Sequence, residues 1–292
     1  MKIGILISAE SGYTNVEDLE DAARLGGHEV SRLFETKFSF VCDVAGNVQS
    51  FYEGRPFAGC EVIIYRSNFI EEPSLHLHVP QLLMRAGYRI LNGSGDVALA
   101  KNKLVQHVRF SEARLPMPRW AIVRESAQAL SMAQELGFPV IVKVAFGTHG
   151  AGVFYAENLE TLNPIVDYLL VRDGNPLILE EFISEAERKD LRVFVVGGKI
   201  VAAMEREARS GDVRANASIG GKGSPVELSE EERRVVLRAS EVSGLDILGV
   251  DVLRSKRGPL LVEINANPGF AELKRVTGVD VAGAIIDAAV QN

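Results

Sequence analysis

The sequence predicts an α/β fold: an open, mostly parallel α/β sheet over residues 1–95, then an α+β part built from antiparallel hairpins. Three observations carry this. Apolar strands and amphipathic helices alternate from residue 2 to residue 91. A strongly apolar strand, FPVIVKVA at residues 138–145, runs straight into the glycine-rich FGTHGAGV of residues 146–153. Two hairpin patterns follow, at residues 190–205 and 249–265.

Residues 2–8 read as a buried strand that ends in a polar stretch, residues 8–14, with Gly12. Val16, Leu19, Ala22, Ala23 and Leu25 recur at helical spacing, and Gly26 with Gly27 supplies a C-cap. Residues 28–34 form a second strand, and residues 38–51 a strand pair turning at Gly46 and Asn47. Residues 61–66 (EVIIYR) are a strand, 75–86 a helix and 88–91 a short strand. Ligands of such sheets lie beyond the carboxyl ends of the strands, which points to residues 8–14 and 66–68. Arg66 closes its strand, where it either holds a carboxylate or lies on the surface. The first loop, SAESG, is not GxGxxG, so no dinucleotide fingerprint is present.

Residues 98–112 are one helical segment carrying Lys101, Asn102, Lys103 and His107, stopped by Pro116 and Pro118. A strand at 120–123 and a helix at 126–136, with Ser126 as N-cap, come next. Lys143 then sits inside the apolar strand, where its charge costs free energy unless it meets a partner. Gly147, Thr148, Gly150 and Gly152 follow it. Such a loop can wrap backbone N–H groups around phosphates, with Lys143 as a point charge. No GK[ST] follows, so it is not a Walker loop, and a plain glycine-rich hairpin turn is the alternative. Residues 154–156 return as a strand and 159–170 form a helix. Residues 176–182 (PLILEEF) end a strand in Glu180 and Glu181. That is either an adenine edge site or an ordinary strand with a surface acidic pair.

VFVVGGKIVAAME turns at Gly197 and Gly198 between strands at 190–196 and 199–205. Residues 206–223 are rich in glycine and cations (Arg206, Arg209, Arg214, Lys222). A loop of that length fits either a lid over phosphates or a solvated segment. Residues 229–243 form an amphipathic helix with Ser229 as cap and Glu231 and Glu232 in its first turn. The last hairpin joins strands at 249–253 and 260–265 through a polar connector at 254–259. Glu263 and Asn265 are two apart and point to one side, and Asp251 can face them from the partner strand. Three oxygen-donating side chains suit Mg²⁺; the alternative is a pair of ordinary strand-edge carboxylates. A final helix covers residues 281–290.

At 292 residues the chain is long for one core, so two or three subdomains are expected. Its net charge of −7 argues against a general nucleic-acid binder. No apolar run approaches the roughly 20 residues that span a bilayer. The apolar part of MKIGILISAESG is too short for a signal peptide, and no small-residue cleavage pattern follows. Cys42 and Cys60 fit neither a disulfide framework nor a metal spacing, which points to the reducing cytoplasm. The five histidines are scattered, with His76 and His78 read as surface residues.

Lys103, Lys143 with GTHGAG, EEFI at residues 180–183, Asp190 with Arg192, MEREA at 204–208, residues 214–216, Asp251 and EINANPG together resemble the ATP-grasp ligases. Within them the match is to the RimK group, which ligates glutamate to protein or small-molecule carboxylates. The resemblance runs nearly end to end, and RANASIGGKGS, GVDVLRSKRGPLLVEINANPG and TGVDVAG carry most of its specificity. It implies a pre-ATP-grasp domain at residues 1–95, a small central domain at 96–179, and a C-terminal domain at 180–292 with the metal site. ATP would lie between the last two. Lys103, Lys143 and the loop with Gly147, Thr148, Gly150 and Gly152 would meet the phosphates. Glu180, Glu181, Phe182 and Ile183 would border adenine, with Asp190 on the ribose or adenine side. Arg214 and Asn216 would meet the triphosphate. Asp251, Glu263 and Asn265 would hold two Mg²⁺ ions, with Mn²⁺ as a substitute. Arg66 and Asn267 fall to the substrate pocket.

The implied chemistry activates an acceptor carboxylate as an acyl phosphate, because oxide is a hopeless leaving group. The amino group of an amino acid, glutamate in this group, then attacks the acyl carbon. Arg206 and Arg214 are the candidates to stabilise the tetrahedral oxyanion. The acceptor would be a protein C-terminus, a carrier protein, a peptide or a small molecule, with no nucleic acid and no membrane involved. A homodimer or homotetramer is implied. A nucleotide-binding regulator without acyl transfer is the rival reading, though it has little use for a two-metal set. Two positions depart from the group: Glu207 stands where a cation follows Arg206, and Asn102 where an Asp precedes the lysine.

Overall fold

The structure, a computed structural model, describes residues 1–8, 15–66, 76–147, 152–208 and 222–291. Its N-terminal part is the expected parallel sheet, in the order β2 (Glu29–Phe34), β1 (Lys2–Ile7), β6 (Val62–Tyr65), β7 (Arg89–Leu91). The run KIGILI is apolar throughout because both faces of β1 are covered. Ile3, Ile5 and Ile7 pack with α1 (Val16–Leu25) and α9 (Val281–Val290), while Leu6 packs on the other face with Leu83 of α2 (His78–Arg85). The expected strand pair lies outside this sheet. β3 (Phe38–Cys42), β4 (Val48–Tyr52) and β5 (Arg55–Pro56) form their own antiparallel sheet around Phe38, Tyr52 and Phe57.

The helix expected at 98–112 is two helices, α3 (Ser94–Lys101) and α4 (Lys103–Glu112). Asn102 breaks it: its backbone is extended, and its side chain accepts from the N–H groups of Leu104 and Val105 at 3.0 and 3.3 Å. Asparagine caps a helix as well as aspartate does, so the departure at this position keeps the cap. The central sheet is antiparallel, in the order β10 (Val153–Ala156), β9 (Val140–Val144), β11 (Leu177–Glu181), β8 (Trp120–Val123). Helices α5 (Ser126–Leu136) and α6 (Leu159–Asp173) cover it and close a core of their own around Val140, Val142, Leu162 and Leu179. Ser126 is not the cap of α5: Glu125 holds that position, and the serine hydroxyl donates instead to Asp167.

The C-terminal sheet is antiparallel, in the order β14 (Lys222–Pro225), β13 (Lys199–Glu207), β12 (Lys189–Val196), β15 (Ile247–Ser255), β16 (Gly258–Asn265). α7 (Glu230–Ser243) carries the expected Ser229 cap as a full capping box with Glu232. The connector expected at 254–259 is much tighter, because β15 and β16 pair as far as Ser255 and Gly258. β14 and α8 (Ala271–Thr277) had no clear sequence signal, being short and interrupted by polar residues. Unlike the central sheet, this one shares its cores with the first: Phe194 and Phe270 pack among residues of β1, α1 and α9. Asn92, 1% exposed, ties the two together by donating to the carbonyls of Ile247 and Ala266 and accepting from the Ile247 N–H, all at 2.7 Å. Among the described residues no helix is long and apolar enough to cross a membrane. Cys42 and Cys60 are both free.

Candidate active site

Asp251 and Glu263 face each other across the β15–β16 ladder, and Asn265 reaches both. The Asn265 amide nitrogen lies 3.4 Å from Asp251 Oδ2 and 3.4 Å from Glu263 Oε1. β16 is an edge strand, yet its edge is closed at this point. Gln106 of α4 accepts from the Ile264 N–H at 2.9 Å and donates to the Ile264 carbonyl at 3.1 Å. One buried side chain thus fixes the residue between the two ligand candidates.

Behind Asp251 stand two buried arginines. Its Oδ1 lies 3.0 Å from Arg192 Nε and 3.1 Å from Arg206 Nη2. Arg206 also donates through Nε and Nη2 to both oxygens of Asp190, at 2.7 and 2.6 Å. Arg206, expected at the oxyanion, is therefore engaged with both Asp190 and Asp251, and Asp190, expected at the nucleotide, is engaged with Arg206. Gly249 makes room for the second arginine, because a Cβ there would meet Arg192 Nη1 at 2.4 Å and Pro268 Cβ at 2.9 Å. Burial pushes the Asp251 carboxyl up, to about 6, against the pull of the two guanidiniums. Burial also raises Glu263, but Lys103 and Lys143 outweigh it and hold that carboxyl below its ordinary value.

Two carboxylates and one amide, turned with its oxygen inward, make a hard oxygen-donor set that fits Mg²⁺. Among the described residues no group of three His, Cys, Asp or Glu side chains is placed to hold a metal. An ion held there would keep part of its hydration shell and accept phosphate oxygens as further ligands.

Lys103 opens α4 and lies 3.6 Å from Glu263 Oε2; its Nζ also donates to the Gly147 carbonyl at 3.3 Å. Lys143, 4% exposed, meets the partner that its burial demands: Nζ lies 2.6 Å from Glu180 Oε1 on the neighbouring strand. The same oxygen is 2.7 Å from His107 Nε2, and His107 Nδ1 is 2.6 Å from the Lys103 carbonyl. Both imidazole nitrogens therefore face acceptors. Burial raises the Glu180 carboxyl, but Lys143 and His107 override it and hold it down, at about 2. α4 thus joins the two lysines to each other through His107 and to the metal strand through Gln106.

Glu181 accepts from the Arg119 backbone N–H at 2.6 Å and pairs with Arg257. The Phe182 ring meets Tyr155 edge-on at 5.1 Å, and Ile183 is buried beside Leu260. Gly152, with φ +81°, closes the β9–β10 turn where a Cβ would lie 2.3 Å from Val144 Cγ2. Arg66 is buried, its Nη2 donating to the Pro268 carbonyl at 3.0 Å, while Asn267 Nδ2 donates to the Arg66 carbonyl at 2.8 Å. Thr148, Gly150, Arg214 and Asn216 lie outside the described residues.

Sequence reading missed Gln106 and gave His107, which it noted on its helix, and Arg192 no part in the site. The available signal was polar residues on the buried face of a helix: Gln106 and His107 share that face with Phe110. His76, read as a surface residue, is half-buried, 4.0 Å from Glu35.

Residues 98–289 match the RimK-like ATP-grasp domain. The chain is 34% identical over 297 residues to a protein of Thioalkalivibrio sulfidiphilus named Probable alpha-L-glutamate ligase, covering 100% of this chain and 96% of that one. A relative of the same name from Shewanella pealeana is also 34% identical, but longer: 98% of this chain spans 62% of it. The structure of the ATP-grasp ligase PsnB complexed with minimal precursor, Mg and ADP superposes with a TM-score of 0.74 at 20% identity, over 99% of this chain and 96% of that one, a likeness of fold. The matched span holds both lysines, α4 and the Asp251–Glu263–Asn265 set, and the chain belongs to the RimK-like ATP-grasp family of ATP-dependent, C–N bond-forming ligases.

Proposed function

We propose that the protein joins glutamate to a carboxylate acceptor, activating the acceptor as an acyl phosphate and releasing ADP and phosphate. One observation carries this reading: Lys103 Nζ lies 3.6 Å from Glu263 Oε2, so the phosphate-binding cations and the metal carboxylates form one continuous site. Lys103 and Lys143 bind phosphate oxygens of ATP, Lys143 from a position fixed by Glu180. Gly147, Thr148, Gly150 and Gly152 supply further contacts to the phosphates, as do Arg214 and Asn216. Glu181, Phe182 and Ile183 border the adenine. Asp251, Glu263 and Asn265 would hold Mg²⁺, which when bound would supply charge neutralisation at the phosphoryl oxygens. Arg192 and Arg206 keep Asp251 ionised and oriented, which leaves Arg214 to stabilise the oxyanion when the amine attacks.

Glutamate as the added amino acid rests on the name shared by the relatives. A peptide acceptor is supported by the precursor peptide in a further complex of PsnB. Within the expected domain of residues 96–179, the self-contained core of the central sheet supports a lobe that moves against residues 180–292 as ATP enters, while α3 and α4 stay with the shared core. Supplying the protein with ATP, Mg²⁺ and each amino acid, alone and with candidate acceptors, tests the substrate. ADP release with a glutamate-extended product by mass spectrometry is expected. Full turnover with another amino acid and none with glutamate would overturn the choice.

A further inference from the structure

Arg66 closes β6 with its side chain 2% exposed. Only Nη2 has an acceptor, the Pro268 carbonyl at 3.0 Å. Nε and Nη1 are buried and have no hydrogen-bond partner among the described residues. Among the described residues no carboxylate offsets the charge, and the Phe270 ring faces the guanidinium at 5.8 Å; burial lowers its pKa, to about 10, so the group stays cationic at neutral pH. A buried guanidinium with three unmet N–H donors is costly, and a neutral acceptor would meet the donors but not the charge. The ligand that answers both is an anion with several oxygens.

Where Arg66 is anchored says which anion. Asn267 and Pro268, which hold it, follow the metal strand directly, so Arg66 is tied to the same backbone as Glu263 and Asn265. Pro268 in turn packs against Gly249, on the strand that bears Asp251. The reacting acceptor carboxylate loses its negative charge when it becomes an acyl phosphate and then an amide. It would leave Arg66 uncompensated in mid-reaction. A carboxylate that does not react keeps its charge throughout. The α-carboxylate of the incoming amino acid is such a group, and it sits one carbon from the nucleophilic amine.

We propose that Arg66 binds the α-carboxylate of the amine-donating amino acid and so positions its amine beside the metal strand. This rests on the ligase reading above. The test is calorimetric binding of glutamate, its α-amide and its side-chain amide (glutamine) to the full chain with ADP and Mg²⁺, for wild type, Arg66→Gln and Arg66→Lys. The wild type is expected to bind the α-amide roughly 30-fold or more weaker than glutamate, the loss expected when one partner of a buried charge pair is removed. Arg66→Gln should erase that preference and leave ADP affinity within about twofold, and Arg66→Lys should restore part of it. A wild-type protein that binds the α-amide as well as glutamate overturns the assignment, whether or not the variants fold. So does a preference for glutamate over the α-amide that survives in Arg66→Gln. ADP release with glutamate and an acceptor is scored separately. If ligation uses another amino acid, that amino acid and its α-amide replace glutamate in the same comparison.

Discussion

Glu180 is where the Lys143 ammonium and the His107 imidazole of the site meet one carboxylate. Lys143 was legible in the sequence because a lysine inside FPVIVKVA has to be explained; its partner was not, because EE at a strand end reads equally as a surface pair. The pH dependence follows from the sign of the shift. The folded carboxyl, at about 2, titrates below its ordinary value, so its stabilisation is present above about pH 4.5 and is lost as the pH falls toward 2. A shift of that size is worth roughly 2–4 kcal/mol. Glu180→Gln should therefore lower stability by about that amount at pH 7, with the gap to wild type narrowing as the pH drops below about 4.5. Urea unfolding across pH 7 to 3 measures it, and a gap independent of pH would show that the ion pair is not the cause. At the reaction centre, Lys143→Ala and Asp251→Ala should each raise the barrier by about 2–4 kcal/mol, roughly 30- to 1,000-fold in kcat/KM for ATP. Wild-type ATP consumption by purified Asp251→Ala would remove Asp251 from the metal site.

At the scale of elements, the helix that begins at Lys103 does most of the organising. Its residues face three ways: Lys103 toward Glu263, Gln106 to the backbone of Ile264, His107 to Glu180. The hairpin carrying Asp251, Glu263 and Asn265 was legible from spacing alone. The clamp on its open edge was not, since an edge strand met by a side chain leaves no mark in its own sequence. Gln106→Ala would leave the Ile264 N–H and carbonyl buried and unpaired, at about 1–3 kcal/mol. It should also raise the Mg²⁺ concentration needed for half-maximal activity. Ser229→Ala gives the contrast. Loss of the capping box on α7 should cost about 1 kcal/mol in chemical denaturation, with no change in the Mg²⁺ requirement. If both variants shift that requirement equally, the clamp has no special place in the site.

Over the whole molecule, the parallel first sheet, the hairpins and their order could be read from period and punctuation, since each is a local pattern. The sharing of cores could not. Apolar residues of β1 and of the C-terminal helix α9 lie far apart in sequence, and only the fold makes them one layer, with Arg89 donating to the last carbonyls of α9. The central sheet keeps a private core, while Lys103, Asp251 and Arg66 lie on or beside elements that share one. The proposed reaction moves two different groups in turn: the γ-phosphoryl of ATP to a carboxylate, then the acyl group of that acyl phosphate to an amine, with phosphate leaving. ADP release measured with the carboxylate acceptor and glutamate supplied separately and together tests that most directly. A ligase working as described forms one amide for each ADP when both are present and shows little ATP breakdown with the amine alone. ATP consumption at an equal rate without the carboxylate, or cleavage to AMP and pyrophosphate, would contradict it.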